Sequence, residues 1–258
     1  MQITNDIKLL KSKVIEVDSN STKFEFEPIS PGYGLTLGHA LRRVLLSSLK
    51  GSAITSVKID GVTHEFSTIK GIKEDVTDII LNLKHLTVKS YSDDPVILKL
   101  SKKGPGKVLA KDFLKNASVE ILDPDFLIAT LEKDGKISME VIVEQGYGYV
   151  PVEKRAGEKL PLGTIAIDAI FNPIRKMNYI VDNTRVGSVT DYNKLVFDVT
   201  TNGTISPKEA LAKSTEIMVE YLTTMLPPKP AEKTKAKKVA KKEAKPKIVK
   251  KSKKANKK

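Results

Sequence analysis

The sequence predicts a fold that combines α-helices with antiparallel β-strands. Many short runs alternate between apolar and polar residues around turn residues, which is the pattern of antiparallel hairpins. Two longer segments, at 37–50 and 207–226, instead carry apolar residues at helical spacing. The last segment, 229–258, consists largely of Lys, Ala and Pro, with too few large apolar residues to form a core.

The net charge of the protein lies in this last segment. The chain has 258 residues and a formal net charge of +13. Residues 229–258 contain 15 Lys and 2 Glu, whereas residues 1–228 contain 29 basic and 29 acidic residues. We therefore predict a disordered basic tail at 229–258 and a body without an overall charge preference for nucleic acid.

The N-terminal region predicts a hairpin. Residues 13–27 alternate between apolar and polar on either side of the polar turn 19–21. Pro28 and Pro31 follow directly, and we expect them to end the second strand because proline cannot donate a ladder hydrogen bond.

The first long helix is predicted from Leu37 to Lys50, with Gly51 at its C-terminal cap. Its outer face places an arginine beside a leucine, which is typical of protein interfaces, so two contact surfaces are expected. Arg42 and Arg43 are two of only five arginines in the chain. The apolar stripe comprises Leu37, Leu41, Val44, Leu45 and Leu49, and the opposite face comprises His39, Arg43, Leu46 and Lys50.

The middle of the chain predicts mostly strands. Residues 52–68 alternate around Asp60-Gly61, which favours a two-residue hairpin, and residues 73–83 predict a short helix. Exposed loops are predicted at 102–106 and 153–159. Further strands are predicted at 86–91, 96–100, 118–122, 126–132, 137–143, 164–169, 176–182 and 194–200.

The start of the last helix is specified by the sequence Ser206-Pro207-Lys208-Glu209. A serine N-cap followed three residues later by glutamate is a capping box, and proline favours the first helical position. Leu211, Met218 and Leu222 then follow at helical spacing until Pro227-Pro228. Both long helices carry broad apolar stripes, so each is expected to bury the other or its copy in a second chain.

The composition excludes several classes of function. The chain has no Cys, which excludes disulfides, thiolate nucleophiles, zinc ribbons and iron–sulfur clusters and suggests a reducing compartment. No apolar run is long enough to cross a membrane, and the first residues do not form a signal peptide. We expect a soluble, cytoplasmic protein without a membrane partner.

No motif predicts catalysis, a metal or a cofactor in this chain. The glycines at 32–38 do not match a dinucleotide fingerprint or a phosphate-binding loop, and a flexible turn before a helix is the favoured interpretation. His39, His64 and His85 lack ligand partners at metal-binding spacing. Ser47-Ser48 lies inside a helix, not on a nucleophile elbow, and Asp123-Pro124-Asp125 is typical of a turn.

Several long motifs nevertheless resemble one family. They are PGYGLTLGHALRRVLLSSL at 31–49, IDGVTHEFSTIKGIKEDV at 59–76, ILNLK at 80–84, GYGYVP at 146–151, NTRV at 183–186 and TNGTISP at 201–207. In this order, the motifs closely resemble the α subunits of bacterial DNA-directed RNA polymerase, over nearly all of residues 1–228.

The resemblance implies a two-part α+β assembly domain. A dimerisation part, residues 1–50 and 171–228, would form the homodimer through its N- and C-terminal helices, and a mostly β part, 51–170, would be inserted into it. The chain would then be a non-catalytic scaffold that gathers the β and β′ subunits, which carry the catalytic metal site. The resemblance makes Leu37, Leu41, Leu45, Leu211, Met218 and Leu222 dimer contacts.

The same resemblance implies contacts with the larger subunits. Arg43, Leu46, His64 and Lys73 stand at positions expected to bind β, and Lys84 and Ile167 at positions expected to face β′. His39 stands where the family usually has Asn. The family's helical C-terminal domain, which binds promoter DNA, has no counterpart here, so specific promoter recognition is not expected.

Two other classes of function stay open at this point. A free-standing nucleic-acid-binding protein would act through its basic tail, where Lys237, Lys238, Lys241 and Lys242 are candidate phosphate contacts. Such a tail also suits anionic proteins. A small-molecule enzyme using the turn 32–38 would bind nucleotide as an isolated chain.

Overall fold

The fold is an α+β arrangement of mostly antiparallel strands, as predicted. It was obtained as a computed structural model, which describes residues 9–155 and 161–227. The helices are α1 (Tyr33–Ser47), α2 (Val76–His85) and α3 (Pro207–Thr224). The strands are β1 (Lys11–Asp18), β2 (Ser21–Ile29), β3 (Lys50–Ile59), β4 (Val88–Ser90), β5 (Val96–Lys103), β6 (Gly106–Leu109), β7 (Val119–Ile121), β8 (Leu127–Leu131), β9 (Lys136–Tyr147), β10 (Tyr149–Val150), β11 (Thr164–Ala166), β12 (Ala169–Ile170), β13 (Ile174–Val186) and β14 (Val189–Thr201).

Strands from the two ends of the chain form one sheet, here called the terminal sheet, in the order β1-β2-β14-β13. Helix α1 packs on β13 and β14, and α3 packs on β14 and β2. The terminal core between them is apolar because alternate residues of each strand point toward the helices. Its buried members include Phe24, Leu45, Leu49, Met177, Leu195, Phe197, Ala210 and Leu211.

The middle of the chain forms a second sheet, here called the insert sheet, in the order β11-β3-β9-β5. Helix α2 packs against it together with the two-stranded pairs β4-β7 and β6-β8. The buried residues of this insert core come from 54–143 and 165–167. A small third cluster comprises Ala53, Ala169 and Phe171. The domain boundaries at 50/51 and 170/171 stay a prediction.

The first hairpin is confirmed, but its second strand is longer than predicted. β2 continues through Pro28 to Ile29, because β1 pairs only as far as Glu27 and the other neighbour, β14, is shifted in register at this end of the strand. A proline is tolerated in a strand where no ladder hydrogen bond is required of it.

Helix α1 begins one turn earlier and ends three residues earlier than predicted. Gly51 is not a helix cap but lies in β3, where a methyl group on its α carbon would overlap the carbonyl oxygen of Phe171. The close approach of β3 to Phe171 therefore explains this glycine better than a helix end does.

The predicted hairpin around Asp60-Gly61 is wrong. The turn forms, with Gly61 at φ 82°, but residues 62–66 do not return as a strand. β3 instead pairs with the distant strands β9 and β11, and its apolar residues pack into the insert core. Strand β6 was also missed, because its Gly-Lys sequence lies at the end of a predicted loop.

The remaining helix predictions are confirmed with small shifts. Ser206 caps α3, and its side-chain oxygen accepts a hydrogen bond from the backbone N–H of Glu209 at 3.3 Å. Helix α2 begins at Val76, three residues later than predicted. The delay has a physical cause, since Glu74 is held by Thr130 of β8, whose backbone N–H donates to the carboxylate at 2.6 Å. The predicted tail at 229–258 lies outside the described residues.

Candidate protein–protein interface

Two glycines set helix α1 directly on the terminal sheet. A methyl group at Gly38 would lie 2.6 Å from Cδ2 of Tyr179, and one at Gly34 would lie 2.9 Å from Cγ1 of Val181. Such distances are shorter than van der Waals contact, so only glycine allows α1 to lie this close to β13.

The side chain of Asn193 holds the N-terminus of α1. Its Oδ1 accepts hydrogen bonds from the backbone N–H groups of Gly32 and Gly34, at 3.0 and 3.3 Å. These are donors that a phosphate-binding helix terminus would offer to a ligand. The glycine-rich stretch is therefore neither a phosphate cradle nor a flexible turn: most of it is helix, fixed to β14.

The outer face of α1 is exposed and mixes apolar and cationic groups. Leu35 is 61% exposed, and His39, Arg42 and Arg43 are exposed beside the half-buried Leu46. Neither guanidinium forms an ion pair within residues 9–155 and 161–227. Arginines that are free to pair beside exposed leucine suit recognition of another protein.

Helix α3 carries its apolar stripe beyond the part that the chain itself covers. Leu211, in the second turn, is 9% exposed, and Met218 is half-buried. On the same side further along, Leu222 is 60% exposed, Met225 is 79% exposed and Leu226 is 66% exposed. A contiguous exposed apolar patch of this kind is typical of a surface that contacts another molecule.

A groove of about 770 Å³ runs between α3 and the first hairpin. Val14, Phe26 and Val219 line it, so its walls are largely apolar. Lys208 also lines the groove and pairs with Glu16 of β1 at 2.6 Å. The groove exists because the two helices cover β2, β13 and β14 but leave the inner face of β1 bare.

Two of the predicted dimer residues are corrected by their burial. Leu45 is 0% exposed and Leu211 is 9% exposed, and both pack in the terminal core of their own chain. A fully buried side chain has no surface to offer to a second copy, so Leu45 is a core residue of its own chain. Leu37 and Leu222 are exposed, and Leu41 and Met218 are half-buried.

Sequence reasoning missed several exposed apolar groups on these helices. Leu35 precedes the predicted start of α1, and Leu226 follows the last residue of α3. Helical spacing identifies the apolar face of a helix but not how far the sheet beneath it extends. The sequence therefore could not show that these two leucines are exposed.

A polar network lies on the insert part around Asp168. Lys84 of α2 pairs with its Oδ2 at 2.9 Å, and the backbone N–H of Val152 donates to its Oδ1 at 3.0 Å. The Lys84 ammonium also lies 5.7 Å from the ring centre of Tyr149. Ile167, predicted as a β′ contact, is wrong as a surface residue, because it is 1% exposed within the insert core.

The charge state of Asp168 is set by this network. The hydrogen bond from Lys84, followed by that from the Val152 backbone, lowers the pKa of the carboxyl group below its ordinary value of 3.8. Asp168 is therefore ionised at neutral pH and fixes the orientation of Lys84.

The segment between β3 and α2 presents the other predicted contact residues. His64 is exposed, and its backbone oxygen accepts a hydrogen bond from Ser67 Oγ at 2.8 Å. Phe66, which lies within the segment 64–73 expected near the β contact, is 79% exposed. Exposed aromatic residues are common interface anchors.

The proposed β contacts do not form one local cluster. Arg43 and Leu46 precede β3, whereas His64 and Lys73 follow it. A ten-residue strand such as β3 spans about 30 Å. The structure therefore separates these residues into two surfaces, one on each part of the fold.

The described residues contain no group of three or more His, Asp and Glu side chains that could hold a metal ion. Among the same residues, no helix has the length and apolar character needed to span a membrane.

Two family models match the chain. Residues 57–172 match the RNA polymerase Rpb3/RpoA insert domain, and residues 160–222 match the RNA polymerase Rpb3/Rpb11 dimerisation domain. The first covers α2, β4 to β12 and the last three residues of β3, and the second covers β13, β14 and most of α3.

Curated proteins named DNA-directed RNA polymerase subunit alpha are similar over most of the chain. The protein of Symbiobacterium thermophilum is 51% identical over 213 residues, which cover 83% of this chain and 68% of that protein. The protein of Desulfitobacterium hafniense is 53% identical over 80% of this chain and 65% of its own length. The protein of Moorella thermoacetica is 48% identical over 86% of this chain and 71% of its own length.

Proposed function

Because the chain belongs to the family of DNA-directed RNA polymerase α subunits, we propose that it is the homodimeric scaffold on which the β and β′ subunits of that enzyme assemble. Family membership places it in a nucleotidyltransferase complex that transcribes DNA into RNA. The single observation that carries the scaffold role is the uncovered apolar end of α3 beside the mixed outer face of α1.

The dimer is proposed to form through the exposed ends of both long helices. Leu222, Met225 and Leu226 continue the stripe that α3 buries against its own sheet, so a second copy would extend the terminal core. Obligate dimer interfaces are apolar and resemble a core divided between two chains, which fits these residues better than a polar ligand does.

The capture of β is proposed to use the outer face of α1, with Arg43 as its central residue. Arg43 is exposed on the side of α1 away from the sheet, so it can contact a partner while α1 stays in the dimer. His64, Phe66 and Lys73 would form the second part of this contact on the insert. Lys84 is proposed to face β′, held in position by Asp168.

A co-purification experiment tests the β contact. Full-length protein with Arg43→Ala should remain a folded dimer but capture β at least about tenfold more weakly, because truncation of a central interface arginine typically costs more than 1.4 kcal/mol. Arg185→Ala is the matched control, since Arg185 is exposed on the far end of β13. Equal capture by both variants, or an unfolded Arg43→Ala protein, would contradict the assignment of this face.

Light scattering on the full-length protein tests the dimer. Leu222→Glu combined with Met225→Glu should give a folded monomer, because burial of two carboxylates in an apolar interface is unfavourable. A variant that stays dimeric would show that the helix ends are not the interface.

The alternative function, a free-standing nucleic-acid-binding protein, is favoured by the 15 lysines of 229–258. The two functions differ in what deletion of 229–258 does. The scaffold should still dimerise and capture β, whereas the alternative protein should lose its function. The phosphate contacts proposed for the tail stay predictions, because the lysines concerned lie outside the described residues. These lysines are Lys237, Lys238, Lys241 and Lys242. A cytoplasmic location also stays a prediction.

A further inference from the structure

Lysines from separate parts of the sequence meet at one end of the insert sheet. Two turns lie there, the β5–β6 turn after Lys103 and the β8–β9 turn at Glu132–Gly135. The lysines of these turns are exposed. The group, here called the lysine tip, comprises Lys103, Lys107, Lys133 and Lys136.

Backbone contacts fix the two turns to each other and to a third segment. The N–H of Gly104 donates to the Gly135 carbonyl at 3.0 Å, and the N–H of Glu132 donates to the Gly71 carbonyl at 2.9 Å. Gly71 and Gly135 lie so close that neither position has room for a side chain. The positions of the lysines therefore follow from the fold and not from flexible loops.

Two of these lysines are directly opposite each other in neighbouring strands. Lys103 of β5 is paired in register with Lys136 of β9. Like charges directly opposite in an antiparallel pair are destabilising. Four residues further along the same strands, Lys99 opposes Glu140, and the two form an ion pair at 2.7 Å. The sheet thus pairs opposite charges in one place and like charges at its end.

The charge of the lysine tip is not neutralised within the described part of the chain. Its four lysines have no ion pair there, although Lys102 next to them pairs with Asp112 at 2.6 Å. Glu132 and Asp134 are the carboxylates on the β8–β9 turn, and Lys70 adds a further exposed cation next to Gly71. A local positive surface therefore exists on a body whose total charge is zero.

The chemistry of the surface indicates which polyanion fits it. Protein interfaces are depleted of lysine and depend on aromatic, arginine and apolar anchors, none of which occurs in these two turns. Lysines act as point charges toward phosphate, and phosphate contacts need no apolar anchor. Duplex DNA presents about one negative charge per 1.7 Å of its axis, which can neutralise several neighbouring lysines at once.

We propose that the lysine tip is a DNA-binding surface that contacts the phosphate backbone of duplex DNA without reading its sequence. The surface belongs to the folded body and not to the basic tail. It adjoins Lys73, one of the contacts proposed for β, because Gly71 lies against Gly135 and the backbone N–H of Lys73 donates to the Thr130 carbonyl of β8 at 3.0 Å.

The salt dependence of DNA binding tests the proposal in the full-length protein. A variant with Lys103, Lys107, Lys133 and Lys136 all changed to Ala should show a shallower plot of log affinity against log salt for a short duplex of random sequence. Each lost phosphate contact reduces the slope by about 0.9, so the expected reduction is about 2 to 4. The basic tail contributes equally to both proteins.

A matched control removes four exposed lysines from the terminal sheet instead, by changing Lys11, Lys13, Lys23 and Lys176 to Ala. This variant should keep the wild-type slope. Equal slopes for the two variants would overturn the proposal. It would also be overturned if the tip variant bound polyglutamate more weakly than wild type but bound DNA equally well, because that result would indicate an acidic protein partner.

Chemical footprinting provides a second measurement that does not depend on any variant. Acetylation of the wild-type protein, read by mass spectrometry, should be slowed at Lys103 and Lys136 by duplex DNA and unchanged at Lys11 and Lys13. Equal acetylation of Lys103 and Lys136 with and without DNA would contradict the proposal.

Discussion

Gly38 of α1 lies against the ring of Tyr179 on β13, and a methyl group on its α carbon would lie 2.6 Å from Cδ2 of that ring. Tyr179 in turn packs against Phe197 in the terminal core, with ring centres 6.4 Å apart. This contact sets the depth of α1 on its sheet. It therefore also sets how far the outer face of α1, with Arg43, projects from the body.

The first prediction concerns this contact. Gly38→Ala should lower the free energy of unfolding by about 1 to 3 kcal/mol, because an added methyl group in a filled space forces the helix or the ring to move. Thr36→Ala, at an exposed position of α1, is the control and should change it by less than about 0.5 kcal/mol. Urea unfolding measures both, and a fully stable Gly38→Ala protein would show that α1 can shift freely.

The second prediction separates residues that form the terminal core from those proposed to form the dimer. Leu45→Ala should lower the free energy of unfolding by about 2 to 5 kcal/mol, because it leaves a cavity at a fully buried position. Leu222→Ala should instead weaken self-association by about tenfold to a hundredfold, since its exposed side chain loses area buried only in the dimer. Sedimentation at several concentrations and urea unfolding distinguish the two effects.

The third prediction is a pH dependence that arises from Asp168. Its pKa is lowered in the folded protein, so its contribution to stability is complete above the ordinary value of 3.8 and is lost as the pH falls through the lowered pKa. Asp168→Asn should therefore be less stable than wild type at neutral pH, and the difference should disappear in acid. Lys84→Met, which removes the other partner of the ion pair, should reduce the same difference. A difference that persists at the lowest pH would contradict this origin.

The fourth prediction concerns a buried hydroxyl group. Ser56 Oγ lies in β3 without a hydrogen-bond partner among the described residues. Ser56→Ala should leave the free energy of unfolding unchanged or raise it by up to about 1 kcal/mol, because it removes a buried polar group that is unsatisfied. Ser214→Ala is the matched control. Its hydroxyl is also buried but donates to the Ala210 carbonyl at 2.8 Å, so its loss should lower stability by about 1 kcal/mol.

Elements with complete local signals could be predicted from the sequence. The start of α3 is specified within four residues by Ser206 and Glu209, and the first hairpin by its alternation around a polar turn. Elements that depend on distant partners were misjudged. The turn at Asp60-Gly61 predicted a hairpin, but β3 pairs with strands some 80 and 100 residues away, and no local pattern contains that information.

The candidate interface shows the same division. Periodicity placed Leu45 and Leu222 on apolar stripes but could not tell that the first is covered by its own sheet and the second is not. The glycines at 34 and 38 suggested a turn because their partners, Val181 and Tyr179, lie far along the chain. The lysine tip was invisible for an equal reason, since Lys103 and Lys136 become neighbours only through strand pairing.

The sequence by itself determined the helical and strand-like character of most segments, the start of α3 and the family to which the motifs belong. Helix and strand periods follow from backbone geometry, and a helix cap is formed by residues a few positions apart. These features therefore depend only on residues that are close in sequence. Only the tertiary structure decided which apolar and charged side chains are covered and which remain for partners. A side chain is buried only if another segment of the chain packs over it, and that segment is usually distant in sequence. Burial therefore cannot be read from the residue type alone.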